Sequence, residues 1–218
     1  DRDKLAPGET ALAELRFKEP MVGVFGDHCV LRAYSPLRTV AGGVLVSPLP
    51  PELRAKDPEL TDKLHLLQSL PELRDAAEAL GGGKAEAKAR EEARAKLVYG
   101  ALTLRGAEGA DEARLRALTG MARAAVESAL QLLSTRGEGL CWDKEGRAWI
   151  AKLPFEKLLA ACLERGAELH RREPLKPGFT RGALCTGWSR NLPPKLVQKV
   201  LDQAIKQGQL VTEGEGLR

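Results

Sequence analysis

Residues 30–48 read VLRAYSPLRTVAGGVLVSP, and this stretch decides the fold of the first part of the chain. The run 30–34 is rich in β-prone residues. Ser35-Pro36 interrupts it, because proline lacks a backbone N–H and pushes the preceding residue out of the helical conformation. Gly42-Gly43 then permits a bend or a close backbone approach before the apolar run 44–46. The stretch therefore predicts two strands joined by a turn.

Two further runs upstream have the character of strands. Residues 10–17, TALAELRF, alternate apolar and polar side chains, and residues 21–25 form a second candidate that ends at a turn, Gly26-Asp27. Together with 30–48 they predict the end of an antiparallel barrel or sandwich.

The order and spacing of these residues resemble the end of the third barrel domain of the selenocysteine-specific translation elongation factors (SelB). In that family we look for PG..ALA.L, a G-D turn and R.YSP..T..GG. The matching residues here are Pro7, Gly8, Ala11, Leu12, Ala13, Gly26, Asp27, Arg32, Tyr34, Ser35, Pro36, Thr39, Gly42 and Gly43. One departure is Ala41, where the family pattern has glycine. The resemblance implies an antiparallel β-barrel domain like that of EF-Tu.

Composition indicates a soluble chain that can bury a core. Of its 218 residues 43% are hydrophobic, and the mean hydropathy is −0.27. No apolar run approaches the roughly 18 residues of a membrane span, and no signal peptide is visible. Because the sequence starts at Asp1 within strand-like residues, we expect the C-terminal part of a longer protein.

The cysteines and histidines do not predict a metal site. The four cysteines, Cys29, Cys141, Cys162 and Cys185, have no CxxC pair and no nearby histidine at zinc spacing. We expect a reduced cytosolic protein, with structural or surface roles for its three histidines.

A helical region follows a predicted domain boundary at 48–51. Asp57-Pro58 predicts a helix start, with aspartate as the cap and proline at the first helical position. Pro71 is expected to restart the helical pattern, which ends at the glycines 81–83. That glycine run before Lys84 lacks the first glycine and the hydroxyl of a phosphate-binding loop. A third helical stretch spans 85–105.

The next segment has the element order of a winged helix. Asp111 can cap a short helix through Leu118, and a second helix is predicted over 121–134. A hairpin follows, with strands at 140–142 and 148–150 around a turn at 143–146. We expect Trp142 and Trp149 to pack this ribbon onto its helices.

The same order recurs toward the end of the chain. A helix is predicted over 155–172, a short helix to Leu184 with Thr180 as its cap, and a longer helix from Pro193-Pro194 to Gln207. A strand at 209–212 and a wing at 213–216 complete it. SelB proteins carry consecutive winged helices directly after the third barrel domain, and residues 170–184 resemble the linker of the second one.

These elements give a mixed α and β multidomain fold, with the end of a barrel followed by tandem winged-helix modules. The predicted domains are 1–50 for the barrel remnant, 51–153 for the helical connector and first winged helix, and 154–218 for the second winged helix.

Positive charge is concentrated in the second module. Residues 154–218 contain 11 Lys and Arg against 7 Asp and Glu, an excess equal to the net charge of +4 of the whole chain. Lys195, Lys199 and Lys206 lie on one face of the last helix, where groove contacts of a helix-turn-helix unit usually sit. A solvated face is the alternative interpretation. Further candidates for nucleic-acid contact are Arg181, Arg190 and Trp188, the last by base stacking.

The equivalent helix of the first module is expected to offer nothing to phosphate. Its corresponding face carries Arg123, Glu127, Gln131 and Ser134. We therefore expect no phosphate contact there.

The resemblance also implies a function. It implies a cytosolic GTP-dependent factor that delivers selenocysteinyl-tRNA to the ribosome at a UGA codon marked by an mRNA hairpin. GTP and magnesium would bind a GTPase domain outside these residues, and the mRNA hairpin would bind modules beyond Arg218. The 218 residues would then be a monomeric, rigid spacer with no cofactor and no catalytic residue of its own.

A winged-helix DNA-binding transcription regulator is the alternative, since winged helices of this order occur in such proteins and fold alone does not decide function.

Overall fold

The computed structural model describes residues 4–51, 53, 56–79, 83–213 and 216–217. The fold is mixed α and β, with small antiparallel sheets and more residues in helices than in strands. Its strands are β1 (His28–Ala33), β2 (Arg38–Val44), β3 (Ala110–Asp111), β4 (Gly139–Asp143), β5 (Ala148–Ala151), β6 (Thr212–Glu213) and β7 (Gly216–Leu217). Its α-helices are α1 (Leu60–Glu78), α2 (Lys84–Arg105), α3 (Glu112–Thr119), α4 (Arg123–Thr135), α5 (Lys152–Arg172), α6 (Arg181–Cys185) and α7 (Pro194–Lys206), with a short 3₁₀ helix at Gly106–Glu108.

The hairpin predicted around residues 30–48 is present as β1 and β2. The strands pair antiparallel, with His28 opposite Val44 and Ala33 opposite Arg38, and the register shifts between Leu31 and Arg32. The glycine pair lies inside β2 rather than ahead of it, with Gly43 opposite Cys29. The turn contains a cis Ser35-Pro36 bond.

The two strands predicted upstream of the hairpin are absent, which corrects that part of the sequence prediction. Residues 10–17 and 21–25 have no regular secondary structure. Among the described residues they have no hydrogen-bonded neighbouring strand, and side chains such as Val22, 96% exposed, face solvent. A strand needs such a neighbour to satisfy its backbone groups. No closed barrel is formed by the part of the chain that the structure describes.

The Gly26-Asp27 turn fixes Phe25 in the helical core. The Gly26 N–H donates to the Leu45 carbonyl at 2.8 Å, and the Leu45 N–H donates to the Asp27 carbonyl at 2.8 Å. Phe25, 3% exposed, donates its own N–H to the Ala117 carbonyl of α3. Gly120, at φ 67°, ends α3 in the left-handed region, and a Cβ there would lie 2.8 Å from the Phe25 carbonyl oxygen.

Helices α1 and α2 pack against each other through small and apolar side chains. A Cβ at Gly100 of α2 would lie 3.2 Å from Leu66 and Leu70 of α1, so glycine permits the close approach. Pro71 lies inside α1 instead of restarting it, and the buried Leu67, Leu70 and Ala77 keep a buried helix face on both sides of the proline.

The predicted helix start at Asp57-Pro58 is also wrong in position. Helix α1 begins at Leu60, whose cap Glu59 makes no side-chain bond. Asp57 instead accepts from the Glu59 N–H at 2.9 Å and pairs with Lys63. Of the glycines expected to end the pattern, 81 and 82 lie outside the described residues, and Gly83 is the N-cap of α2.

Helices α2, α3 and α4 and a three-stranded sheet form the first helix-and-hairpin unit. The sheet order is β3-β5-β4, all antiparallel, so the sequence analysis missed the short strand β3. The predicted cap of α3 is confirmed, since Asp111 Oδ1 accepts from the Arg114 N–H at 2.7 Å.

Helices α5, α6 and α7 and the β6–β7 pair form the second unit. Helix α5 starts at Lys152, directly after β5, rather than at 155. The predicted cap at Thr180 is confirmed by its hydroxyl, which accepts from the Ala183 N–H at 3.3 Å. The strand predicted at 209–212 is shifted to Thr212–Glu213, and two residues of the predicted wing, 214 and 215, lie outside the described residues.

Candidate nucleic-acid interface

Helix α7 exposes one face because the opposite face is buried. Pro194 occupies its first position, where no backbone N–H is needed. The buried side chains at helical spacing are Leu196, Val197, Val200, Leu201 and Ala204. The polar face that remains carries the three lysines predicted to contact nucleic acid.

The first of these lysines is paired with the preceding hairpin. Lys195 Nζ donates to Asp143 Oδ1 at 2.8 Å and to Glu145 Oε2 at 2.9 Å, in the turn between β4 and β5. The hydrogen bond from Lys195 holds the pKa of Asp143 below its ordinary value, and both carboxylates raise the pKa of Lys195. This charge is therefore neutralised within the protein.

The second lysine is half-buried. Lys199 lies one helical turn after Lys195, and its charge only weakly opposes the rise in the pKa of the Cys141 thiol in β4, which burial causes. The first half of α7 thus packs beside β4. Lys206, in the last turn, is exposed. The three lysines therefore do not form one free stripe, which no periodicity within α7 could reveal.

The remaining candidates lie around α6. Arg181 and Arg190 are exposed. Trp188 is half-buried against the core of the second unit, and its Nε1–H donates to the Leu184 carbonyl at 2.9 Å. The indole N–H is thus already hydrogen-bonded within the protein. Contact of these three residues with nucleic acid stays a prediction.

The corresponding face of the first unit consists of paired charges. Arg123 donates to Glu127 at 2.8 Å, while Arg147 pairs with Glu112 at 2.9 Å and with Glu127 at 3.2 Å. The hydrogen bond from Arg123 is the main reason why the pKa of Glu127 is lowered. This network pairs both of those arginines with carboxylates, and the expectation that this face makes no phosphate contact stays a prediction.

Sequence reasoning missed the joint between the two units. In β5, Ile150 belongs to the hydrophobic core of the second unit, and the next residue, Ala151, belongs to that of the first. Leu140 and Trp142 of the hairpin also pack against the second core, while Trp149 packs against the first. The sequence did contain a signal for this joint, because both faces of the hairpin carry apolar residues. A wing with one face in solvent would carry apolar residues on one face only.

The family-motif residues have structural positions. Gly26 and Asp27 form the turn beside Phe25, Arg32 and Thr39 are opposite each other in the hairpin, and Gly42 and Gly43 lie in β2. Tyr34, Ser35 and Pro36 lie at the exposed turn between β1 and β2. Tyr34 is 98% exposed.

No chemistry-bearing cluster accompanies these surfaces in the described part of the chain. It contains no group of three or more His, Cys, Asp or Glu that could hold a metal ion. Burial raises the pKa of the Cys162 thiol to about 11, so this cysteine stays protonated at neutral pH. Of the helices described, none is long and apolar enough to cross a bilayer.

The order of helices and hairpins defines a winged-helix protein, and comparisons with known proteins agree. Residues 163–218 match the family described as elongation factor SelB, winged helix. Over all 218 residues the chain is 34% identical to a selenocysteine-specific elongation factor from Desulfomicrobium baculatum, and it spans 31% of the length of that protein. The resemblance to the SelB proteins that was inferred from the sequence is thereby confirmed.

Proposed function

We propose that the chain forms part of a translation elongation factor that delivers selenocysteinyl-tRNA to the ribosome at UGA codons marked by an mRNA hairpin. The similarity over the whole chain supports this proposal. GTP and magnesium would bind a GTPase domain in another part of that protein, which acts in the cytoplasm. The comparisons do not favour the alternative of a DNA-binding transcription regulator.

Residues 1–50 are proposed to belong to an EF-Tu-like barrel domain. The β1–β2 hairpin is open on both faces, with exposed apolar side chains that include Val30, Leu37 and Val40. Such a ribbon is marginal alone and gains stability when further strands and a hydrophobic face cover it. We also propose that two winged-helix domains follow in tandem, with the boundary between them at residues 153 and 154.

The role of this chain within the factor is that of a rigid spacer between the barrel and the modules that hold the mRNA. The observation that carries this role is the division of β5 between two cores, with Ile150 in one and Ala151 in the other. A hairpin buried on both faces cannot swing relative to either unit without exposing apolar surface. The Lys195 pair with the hairpin turn and a Lys157–Glu59 ion pair add polar links across the joint.

A joint-loosening variant of the whole factor tests this role. Ile150→Ser combined with Lys195→Glu removes the buried side chain and places a negative charge beside Asp143 and Glu145. The matched control is Leu153→Ser with Lys84→Glu, the same chemical changes at exposed positions. Read-through of a UGA codon followed by the mRNA hairpin is measured in a reporter, and selenocysteinyl-tRNA binding is measured separately.

We expect read-through to fall in the joint variant and not in the control, with tRNA binding retained and helical content confirmed by circular dichroism. Unchanged read-through in a folded joint variant whose units move independently would contradict the spacer role.

A further inference from the structure

A second basic, exposed segment lies outside α7, in the turn between α5 and α6. Residues 170–181, HRREPLKPGFTR, contain Arg171, Arg172, Lys176 and Arg181 against one acid, Glu173. All five of these side chains are exposed. We name this segment the basic turn.

The basic turn is held in one shape by several contacts. The Lys176 N–H donates to the Glu173 carbonyl at 3.1 Å, with Pro174 in the second position of the turn. Lys176 Nζ pairs with the Glu173 carboxylate at 2.9 Å and lies 5.4 Å from the ring centroid of Phe179. Phe179 is buried and meets the His170 ring edge to face, at 4.8 Å between centroids.

The arginines around this turn remain without a carboxylate partner. In the portion of the chain covered by the structure, no acidic group lies within ion-pair distance of Arg171, Arg172 or Arg181. The nearby Glu168 pairs with Arg165 at 2.9 Å, and Glu173 pairs with Lys176. The acids next to the basic turn are thus already used, whereas Lys195 of α7 is neutralised.

We propose that the basic turn is an RNA-binding surface that contacts the phosphate backbone. The guanidinium group binds phosphate in a bidentate fashion and is weakly hydrated, so arginines that flank a preformed turn and have no carboxylate partner bind an RNA backbone without first ordering the loop. The choice of RNA rests on the proposed function, since a factor of the SelB type works among tRNA, mRNA and ribosomal RNA. Contacts to phosphate alone carry no base sequence, so binding is sequence-tolerant and salt-dependent.

A helix-dipole role and a lipid-surface role for the basic turn would each give a different experimental result. Arg171 and Arg172 lie in the last turn of α5, where positive charge favours the helix dipole, and this would affect stability alone. Leu175, 99% exposed at the apex between two prolines, together with the arginines would also suit an anionic lipid surface.

The test compares variants of the 218-residue chain for binding to an RNA hairpin and to poly(U) over a series of salt concentrations. Arg171→Ala with Arg172→Ala should lower the affinity for both RNAs by roughly tenfold per arginine at 0.1 M salt. It should also reduce the slope of log K against log salt by roughly 2. Lys84→Ala with Lys88→Ala removes the same charge from the exposed start of α2 and should change neither quantity. Arg171→Lys with Arg172→Lys should retain most of the slope and lose part of the affinity.

Three outcomes would overturn the proposal. Equal losses in the arginine and α2 variants would mean that only net charge matters. A lowered melting temperature with unchanged RNA binding would assign the arginines to the helix dipole. Binding to phosphatidylserine vesicles that Leu175→Ser abolishes, without RNA binding in the parent chain, would assign the turn to a membrane surface. These three outcomes concern RNA binding by the basic turn and do not affect the read-through result of the joint variant. If the RNA-binding proposal fails, the proposed spacer role is therefore unaffected.

Discussion

Ile150 and Ala151 are neighbours in β5, and both are fully buried, yet their side chains lie in different hydrophobic cores. Successive residues of a strand point to opposite faces, so a two-faced ribbon joins two cores wherever both of its faces are covered. The hairpin β4–β5 thus packs against both units. Helix α5 begins directly after β5, with no linker residue between the strand and the helix.

Replacing Ile150 with alanine should destabilise the chain by about 2–5 kcal/mol, the usual cost of truncating a buried aliphatic side chain. The free energy of unfolding is measured by urea denaturation followed by circular dichroism. Leu153→Ala, at a position 47% exposed and three residues along, is the control and should cost less than about 1 kcal/mol. Equal costs for the two variants would mean that Ile150 does not fill the second core.

The two phenylalanines of the first segment should differ sharply. Phe25→Ala should cost about 3–5 kcal/mol, because this buried ring anchors the segment to the core between α1 and α3. Phe17, 56% exposed, should tolerate alanine within about 0.5 kcal/mol. Limited proteolysis of both variants gives a second readout, since loss of the anchor should speed cleavage within residues 4–46. Similar stability and cleavage for the two variants would show that Phe25 is not an anchor.

Lys195→Met should raise the pKa of Asp143 toward its ordinary value of 3.8, because the lysine hydrogen bond is the main cause of the lowering. A carboxylate with a lowered folded-state pKa stabilises the fold above its unfolded pKa, and this contribution is lost as pH falls through the folded value. The variant should therefore lose less stability than the parent chain on acidification below that ordinary value. Titration of the Asp143 carboxyl carbon by NMR measures the shift.

Lys199→Met is the control for that titration. It removes the same charge from the next turn of α7, but Lys199 makes no hydrogen bond to Asp143, so the Asp143 midpoint should stay close to that of the parent chain. An Asp143 midpoint that Lys195→Met leaves unmoved would show that the pair does not form in solution.

GTP with magnesium should leave the melting temperature of the 218-residue chain unchanged. The glycine run before Lys84 lacks the residues of a phosphate loop, and a ligand bound at 100 times its dissociation constant would add about 2.7 kcal/mol of stability. Differential scanning fluorimetry with and without the nucleotide makes the measurement. A clear upward shift would mean that the chain carries a nucleotide site.

Features set by local chemistry were predictable from the sequence. Asp111 and Thr180 cap helices by bonding backbone N–H groups three residues ahead, and that spacing can be read directly. Features set by distant contacts were not predictable. Residues 10–17 alternate as a strand does, but their backbone has no neighbouring strand in the described structure. Pro71 continues a helix because packing against α2 outweighs its local preference.

The candidate site shows the same division between local and distant effects. The charge and helical phase of Lys195 follow from sequence, but its carboxylate partners lie about 50 positions earlier in the chain. The charged residues of the basic turn can also be read directly from the sequence. The role of this turn could be inferred only from the structure, because Lys195 of α7 pairs with Asp143 and Glu145, and the acids beside the turn pair with Arg165 and Lys176.

The rigidity of the joint is tested most directly by residual dipolar couplings of backbone amides in a weakly aligned sample of the 218-residue chain. Couplings from helices α3 and α4 and those from α5 and α7 are fitted separately to alignment tensors. Because Ile150 and Ala151 tie one hairpin into both cores, the two tensors should agree in magnitude and orientation. A markedly smaller or differently oriented tensor for one unit would show that the units move independently. It would contradict the account in which one hairpin packs against both cores and holds them rigidly together.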